Sequence, residues 1–154
     1  MEKYFITNEG DRVNIIDHTI EQLNKWPNLK LYIGTDSQCI GDRIHYVTTV
    51  VYRYDLRGAH FIYLRSSTEK DCDKSQFLRL YSEGSKTLEL ESFITSNIPI
   101  SIEAIEFDYS DISKTLSTKL VSVFKGMSNA VFKSGDMIAC KAADHILRHP
   151  GLYK

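Results

Sequence analysis

Leu31-Tyr32-Ile33-Gly34-Thr35-Asp36-Ser37 decides the reading of this chain: an apolar, β-favouring run that ends by delivering a carboxylate. A charge at the end of an apolar strand is costly unless a cation or hydrogen bonds compensate it. The ordinary reading, an Asp capping a turn at Ser37 and Gln38, competes with that one. The stretch predicts a strand over residues 29–36.

Upstream, Val13, Ile16, Ile20 and Leu23 recur at steps of three and four, which predicts an amphipathic helix over residues 11–26, stopped by Pro27 and Asn28. Downstream, Ile40-Gly41-Asp42-Arg43 reads as a turn. Residues 44–54, rich in Val, Thr and Tyr, read as a second strand, and residues 59–65 as a third beyond the turn at Asp55-Leu56-Arg57-Gly58. Three antiparallel strands therefore precede any long helix.

Beyond the polar stretch 66–75, a helix is predicted over residues 76–95. Phe77, Tyr81, Gly84 and Leu88 form one line along it, and Leu80, Thr87, Leu90 and Ile94 a neighbouring one. A fourth strand over residues 100–107 finishes at Asp108. Ser110 or Asp111 caps a further helix marked by Ile112, Leu116, Leu120 and Val123 or Phe124, and Gly126 closes it. Ala130-Val131-Phe132 is a short fifth strand, and residues 136–148 a final helix. Neither repeats nor linkers interrupt this order, which predicts one domain over residues 1–154. The expected fold class is α/β: a five-stranded mixed sheet, three antiparallel strands and then parallel crossovers, flanked by helices with an extra N-terminal one.

With 154 residues, 42% of them hydrophobic, the chain is long enough to bury a core. Nineteen Lys and Arg against twenty Asp and Glu leave a net charge of -1, so any nucleic-acid contact must rest on a local patch. Cys39, Cys72 and Cys140 are scattered and form no C-x-x-C pair, which argues against both a disulfide framework and a zinc site. No run approaches the length of a membrane span, and the expectation is a soluble cytoplasmic protein. Phosphate-cradling glycine motifs and the G-x-S-x-G elbow are absent. The three leading antiparallel strands count against a flavodoxin-like nucleotide-binding module.

The order of elements resembles the ribonuclease H-like fold. More narrowly, Ile33-Gly34-Thr35-Asp36-Ser37-Gln38, then Glu83, then Asp108, then Lys141-Ala142-Ala143-Asp144 look like the YkuK-type bacterial branch of that superfamily. Asp36 is followed directly by Ser37, whereas ribonucleases H proper usually carry Asp-Gly-Ser. The resemblance implies that Asp36, Glu83, Asp108 and Asp144 are both the catalytic residues and the metal ligands of a site for two Mg²⁺ or Mn²⁺ ions. Its reaction would be hydrolysis of phosphodiester bonds in RNA, DNA or a hybrid.

Each acid has an ordinary alternative. Glu83 shares the line of Leu80 and Thr87, where a structural helix wants an aliphatic residue, but Glu91 falls between the two apolar lines and the wheel does not separate them. The resemblance favours Glu83, nearer the helix start. Asp108 and Asp111 both precede a helix that either can cap. Asp144 can pair with Lys141, three residues back. Four oxygen donors with neither Cys nor clustered His suit a hard cation. In the two-metal scheme that the resemblance implies, with ions about 3.5 to 4 Å apart, Asp36 would bridge, Glu83 and Asp108 would complete one ion and Asp144 the other. Without metal, such carboxylates raise one another's proton affinity. His145, Lys114, Lys119, Lys125 and the hairpin aromatics Tyr46, Tyr52, Tyr54, Phe61 and Tyr63 are weaker candidates, each accounted for by solvation or cross-strand packing. The competing functional reading is a non-catalytic module of the same fold that binds nucleic acid or protein.

Overall fold

The described residues form one mixed sheet of seven strands, not five. The computed structural model describes residues 2–55, 58–70, 75–109, 119–121, 123–124, 126, 130–132 and 137–153. Within them the order is β1 (Tyr4–Thr7), β2 (Arg12–Asn14), α1 (Ile15–Lys25), β3 (Lys30–Ile40), β4 (Arg43–Arg53), β5 (Ala59–Glu69), α2 (Gln76–Asn97), β6 (Ala104–Phe107), β7 (Ala130–Phe132) and α3 (Ile138–Arg148). The strands lie side by side as β2-β1-β5-β4-β3-β6-β7. Everything from β2 to β3 is antiparallel, while β3–β6 and β6–β7 are parallel.

The two extra strands come from the segment that the sequence assigns to lead-in and helix. Val13, counted there as the first apolar step of the helix, instead pairs with Phe5 across β1 and β2. The helix starts at Ile15 because Asn14 is extended, and its side chain accepts the Ile16 and Asp17 N–H groups at 2.9 and 3.2 Å. Ile20, taken for a core position, is 43% exposed.

The central meander is longer than expected. Strand β3 pairs with β4 from Lys30↔Arg53 to Ile40↔Arg43, and β4 with β5 from Arg43↔Glu69 to Arg53↔Ala59. Gly41 takes φ +62°, the positive value that a type II′ two-residue hairpin requires at its first turn position. Parallel pairing of β3 with β6 covers only Tyr32↔Ala104, Ile33↔Ile105 and Gly34↔Glu106. Asp36 therefore does not close β3; it lies just past the parallel partner on a strand that runs four residues further.

Helix α2 covers one face of the sheet. Leu31, Ile33, Val50, Ile62, Leu80, Leu90, Ile94, Ile105 and Phe107 are buried there in the main core, together with Leu120 and Phe124. Residues 119–121 and 123–124 are helical, while the capping candidates Ser110 and Asp111 with Ile112 and Leu116 lie outside the described residues. Helix α3 covers the other face, where Val47, Tyr63, Ala143, Ile146 and Leu147 form a second cluster. Its close approach depends on Gly34, where a Cβ would stand 2.9 Å from the Cys140 backbone nitrogen.

Candidate functional site

The pleat of β3 sends consecutive side chains to opposite faces. Thr35 and Ser37 face α2: the Thr87 hydroxyl donates to Thr35 Oγ1 at 2.8 Å, and Ser37 Oγ donates to Glu83 Oε1. Gly34 and Asp36 face α3. The β3–β6 register, continued two residues past Gly34↔Glu106, brings Asp36 beside Asp108. Asp144 projects from α3 on that same side.

Asp36 is half-buried, and its Oδ1 accepts the Ser37 N–H at 2.9 Å. Burial pushes its pKa up to about 6; the Ser37 N–H opposes the rise, and the carboxylates of Asp144 and Asp108 reinforce it. Glu83 is 4% exposed. Burial drives its carboxyl well above the ordinary range, opposed by the Ser37 hydroxyl and the Arg79 guanidinium and assisted by the charges of Asp36 and Asp108. Asp36 is thus within electrostatic reach of Glu83, Asp108 and Asp144, which come from three different elements. Glu91 is only half-buried, two turns further along α2.

Asp144 carries an ion pair, though not the one its spacing suggested. Arg148 Nε, four residues on, donates to Asp144 Oδ1 at 2.8 Å; with 69% of the Arg148 side chain and 43% of the Asp144 side chain exposed, the pair is a weak surface one. Lys141 makes interactions of its own.

Glu106 was passed over in the sequence, and it is 2% exposed at the foot of this cluster. Its carboxylate accepts the Ala139 N–H at 2.9 Å and the Cys140 N–H at 3.0 Å, the first-turn donors of α3, whose own cap residue Met137 supplies no side-chain bond. Burial pushes its pKa up to about 7 against those two N–H groups. The signal was a lone Glu in an otherwise apolar four-residue strand. Its partners lie more than thirty positions away.

The weaker candidates have structural explanations. The His145 ring packs on His149 and Tyr153. Tyr52 bonds Thr19, Phe61 and Tyr63 pack against Tyr153, and Lys86 lies over Tyr46. Lys119 is exposed, while Lys114 and Lys125 lie outside the described residues.

Among the described residues, no three His, Cys, Asp or Glu side chains stand close enough together to hold a metal ion as they are placed. The donor set nevertheless fits a hard divalent cation: oxygen ligands only, crowded, and with the proton affinities of Asp36 and Glu83 raised in the way that a cation would reverse. No helix among the described residues is long and apolar enough to cross a membrane.

A family model described as Ribonuclease H-like matches residues 12–146, which takes in all four acids and both layers of helix around the sheet. No curated protein and no solved structure matches the chain.

Proposed function

Because the chain belongs to the ribonuclease H-like family, we propose that it is a divalent-metal-dependent nuclease that hydrolyses phosphodiester bonds of RNA or DNA, of the YkuK-type branch and acting in the cytoplasm. One observation carries this reading: Asp36 lies where the charges of Glu83, Asp108 and Asp144 meet, at the point where β3 outruns its parallel partner. In mixed sheets of this kind, the ends of neighbouring parallel strands are where sites gather.

Asp36, Glu83, Asp108 and Asp144 would hold two Mg²⁺ or Mn²⁺ ions. Such ions, when bound, supply an acidified water and neutralise charge at the leaving oxygen. The chain's own contribution is to hold its acids at a fixed depth. Ser37 anchors Glu83 from the α2 face, Gly34 lets α3 bring Asp144 close, and Glu106 fixes the first turn of that helix. The exposed Arg148 pair leaves Asp144 free to exchange partners at little cost.

The test is incubation with labelled single-stranded, duplex and hybrid substrates in Mn²⁺ or in EDTA, comparing wild type with Asp36→Asn. Cleavage should require the metal and be lost in the variant; cleavage in EDTA, or full activity of Asp36→Asn, rules the mechanism out. A second reading, a non-catalytic module that binds nucleic acid or protein, is favoured by the engagement of Asp144 with Arg148 and by the lack of a three-ligand group among the described residues. Retention of labelled nucleic acid without cleavage in any metal would support it.

A further inference from the structure

Strand β3 and the two residues that follow β6 present the same device. An acid faces α3, and the next residue, a hydroxyl, faces α2: Asp36 with Ser37, and Asp108 with Tyr109. Ser37 already bonds Glu83. Tyr109 makes no corresponding bond. It is 4% exposed and its Oη has no hydrogen-bond partner among the described residues, an uncommon state for a buried hydroxyl. Its ring is fixed among Phe107, Phe124 and Phe132, which leaves the hydroxyl little freedom to escape to water. The Oη fills the space beside Gly84, 2.5 Å from where a Cβ at that position would stand, so the glycine next to Glu83 is what admits it.

Glu83 has the complementary deficit. Among the described residues its buried carboxylate has one side-chain bond, from Ser37, although an ionised carboxylate accepts several. We propose, building on the nuclease reading above, that Tyr109 is a positioning residue: its O–H is the second donor to Glu83, besides Ser37, when a divalent cation is held by the acids. A carboxylate that holds a cation is acceptor-only, and the Tyr109 O–H is a buried donor beside the residue next to Glu83. Strand β3 and the segment just past β6 would then each supply one acid to the cation and one hydroxyl to Glu83 on α2.

The experiment is thermal unfolding of the full chain in EDTA and across a Mn²⁺ titration, for wild type, Tyr109→Phe, Ser37→Ala and Glu83→Gln. Tyr109→Phe keeps the ring and removes only the unpartnered hydroxyl, so its melting temperature in EDTA should equal or exceed that of wild type. Its half-saturating Mn²⁺ concentration should rise by about tenfold or more, as for outer partners of metal ligands generally. Ser37→Ala should shift the titration in the same direction, and Glu83→Gln should abolish most of the response. A wild-type Mn²⁺ midpoint in Tyr109→Phe, with the response lost in Glu83→Gln, overturns the proposal alone; so does a lower melting temperature in EDTA with an unchanged midpoint, the mark of a purely structural role. A wild-type chain that does not respond to Mn²⁺ overturns the metal reading of the acids, and the role of Tyr109 with it.

Discussion

Gly34→Ala tests how the two halves of the site are held together. A Cβ at position 34 would lie 2.8 Å from Cys140 Sγ, 2.9 Å from the Cys140 backbone nitrogen and 3.2 Å from Ala139 Cβ. Ordinary contacts between such atoms sit at about 3.5 to 4.0 Å, so the first turn of α3 must retreat by roughly 0.5 to 1 Å. A side chain can rotate away; a helix backbone cannot. The retreat stretches the bonds that Glu106 accepts from Ala139 and Cys140, at 2.9 and 3.0 Å, and the bond from Thr49 Oγ1 to Ala139 O at 2.6 Å. Overpacking alone costs about 1–3 kcal/mol, and a weakened bond to a charged group about another 1 kcal/mol. Replacing glycine within a strand returns about 0.5–1 kcal/mol. The net loss is about 1–3.5 kcal/mol, or roughly 2–14 °C in melting temperature for a domain of this size. Calorimetry in EDTA measures it, with Gly126→Ala as control, because a Cβ there meets none of the described residues within 4 Å. A melting temperature for Gly34→Ala equal to that of the control would refute the packing argument.

Three further outcomes follow from the same geometry. Asp36 and Glu106 have folded pKa values of about 6 and about 7, above their ordinary values of 3.8 and 4.5, so the native state binds more protons across that interval. Metal-free stability should therefore fall as pH rises through it, seen as a lower urea midpoint at about pH 8 than at about pH 5; a midpoint that rises with pH contradicts this. Glu106→Ala leaves the Ala139 and Cys140 N–H groups buried without their acceptor and should cost about 3 kcal/mol, whereas Glu106→Gln, which keeps a carbonyl, should cost less; equal losses in denaturant titrations would count against the capping role. Asn14→Ala should cost about 1 kcal/mol by the same titrations, and an unchanged midpoint would show that its bonds to Ile16 and Asp17 do not hold the start of α1.

The legible parts of the fold were those whose signal is local. The apolar run into Asp36, the turn at Gly41-Asp42 and the stripe of Leu80, Thr87, Leu90 and Ile94 each carry their period within a few residues, and the matching elements are present. Strands β1 and β2 were not legible: Val13 and Ile16 sit at helical spacing, and only the pairing of Val13 with Phe5 assigns the former to a strand. The reach of β3 to Ile40 was hidden too, since Gln38 and Cys39 are exposed and their extended state comes from His45 and Ile44 across the hairpin. Within the site, Glu83 stood out as a charge on an apolar stripe and is buried beside Ser37. Glu106 did not, because what makes it necessary is the bare N-terminus of a helix that the chain reaches only much later. For Asp144 the helix offered two cations in range, Lys141 and Arg148, and the distance of 2.8 Å to Arg148 identified the partner.

The three-residue seam between β3 and β6 also bears on how the chain reaches this state. The meander of β3, β4 and β5 closes through short turns and can form from neighbours in sequence, whereas joining Gly34 to Glu106 must wait until the whole of α2 has been traversed. Contacts between such distant segments form slowly, since loop entropy is lost before they return any stabilisation. On that tendency Asp36 is expected on an early hairpin, and Asp108 and Asp144 with the late crossover. A folding intermediate stalled before that seam would contain native strands and yet no grouping of acids.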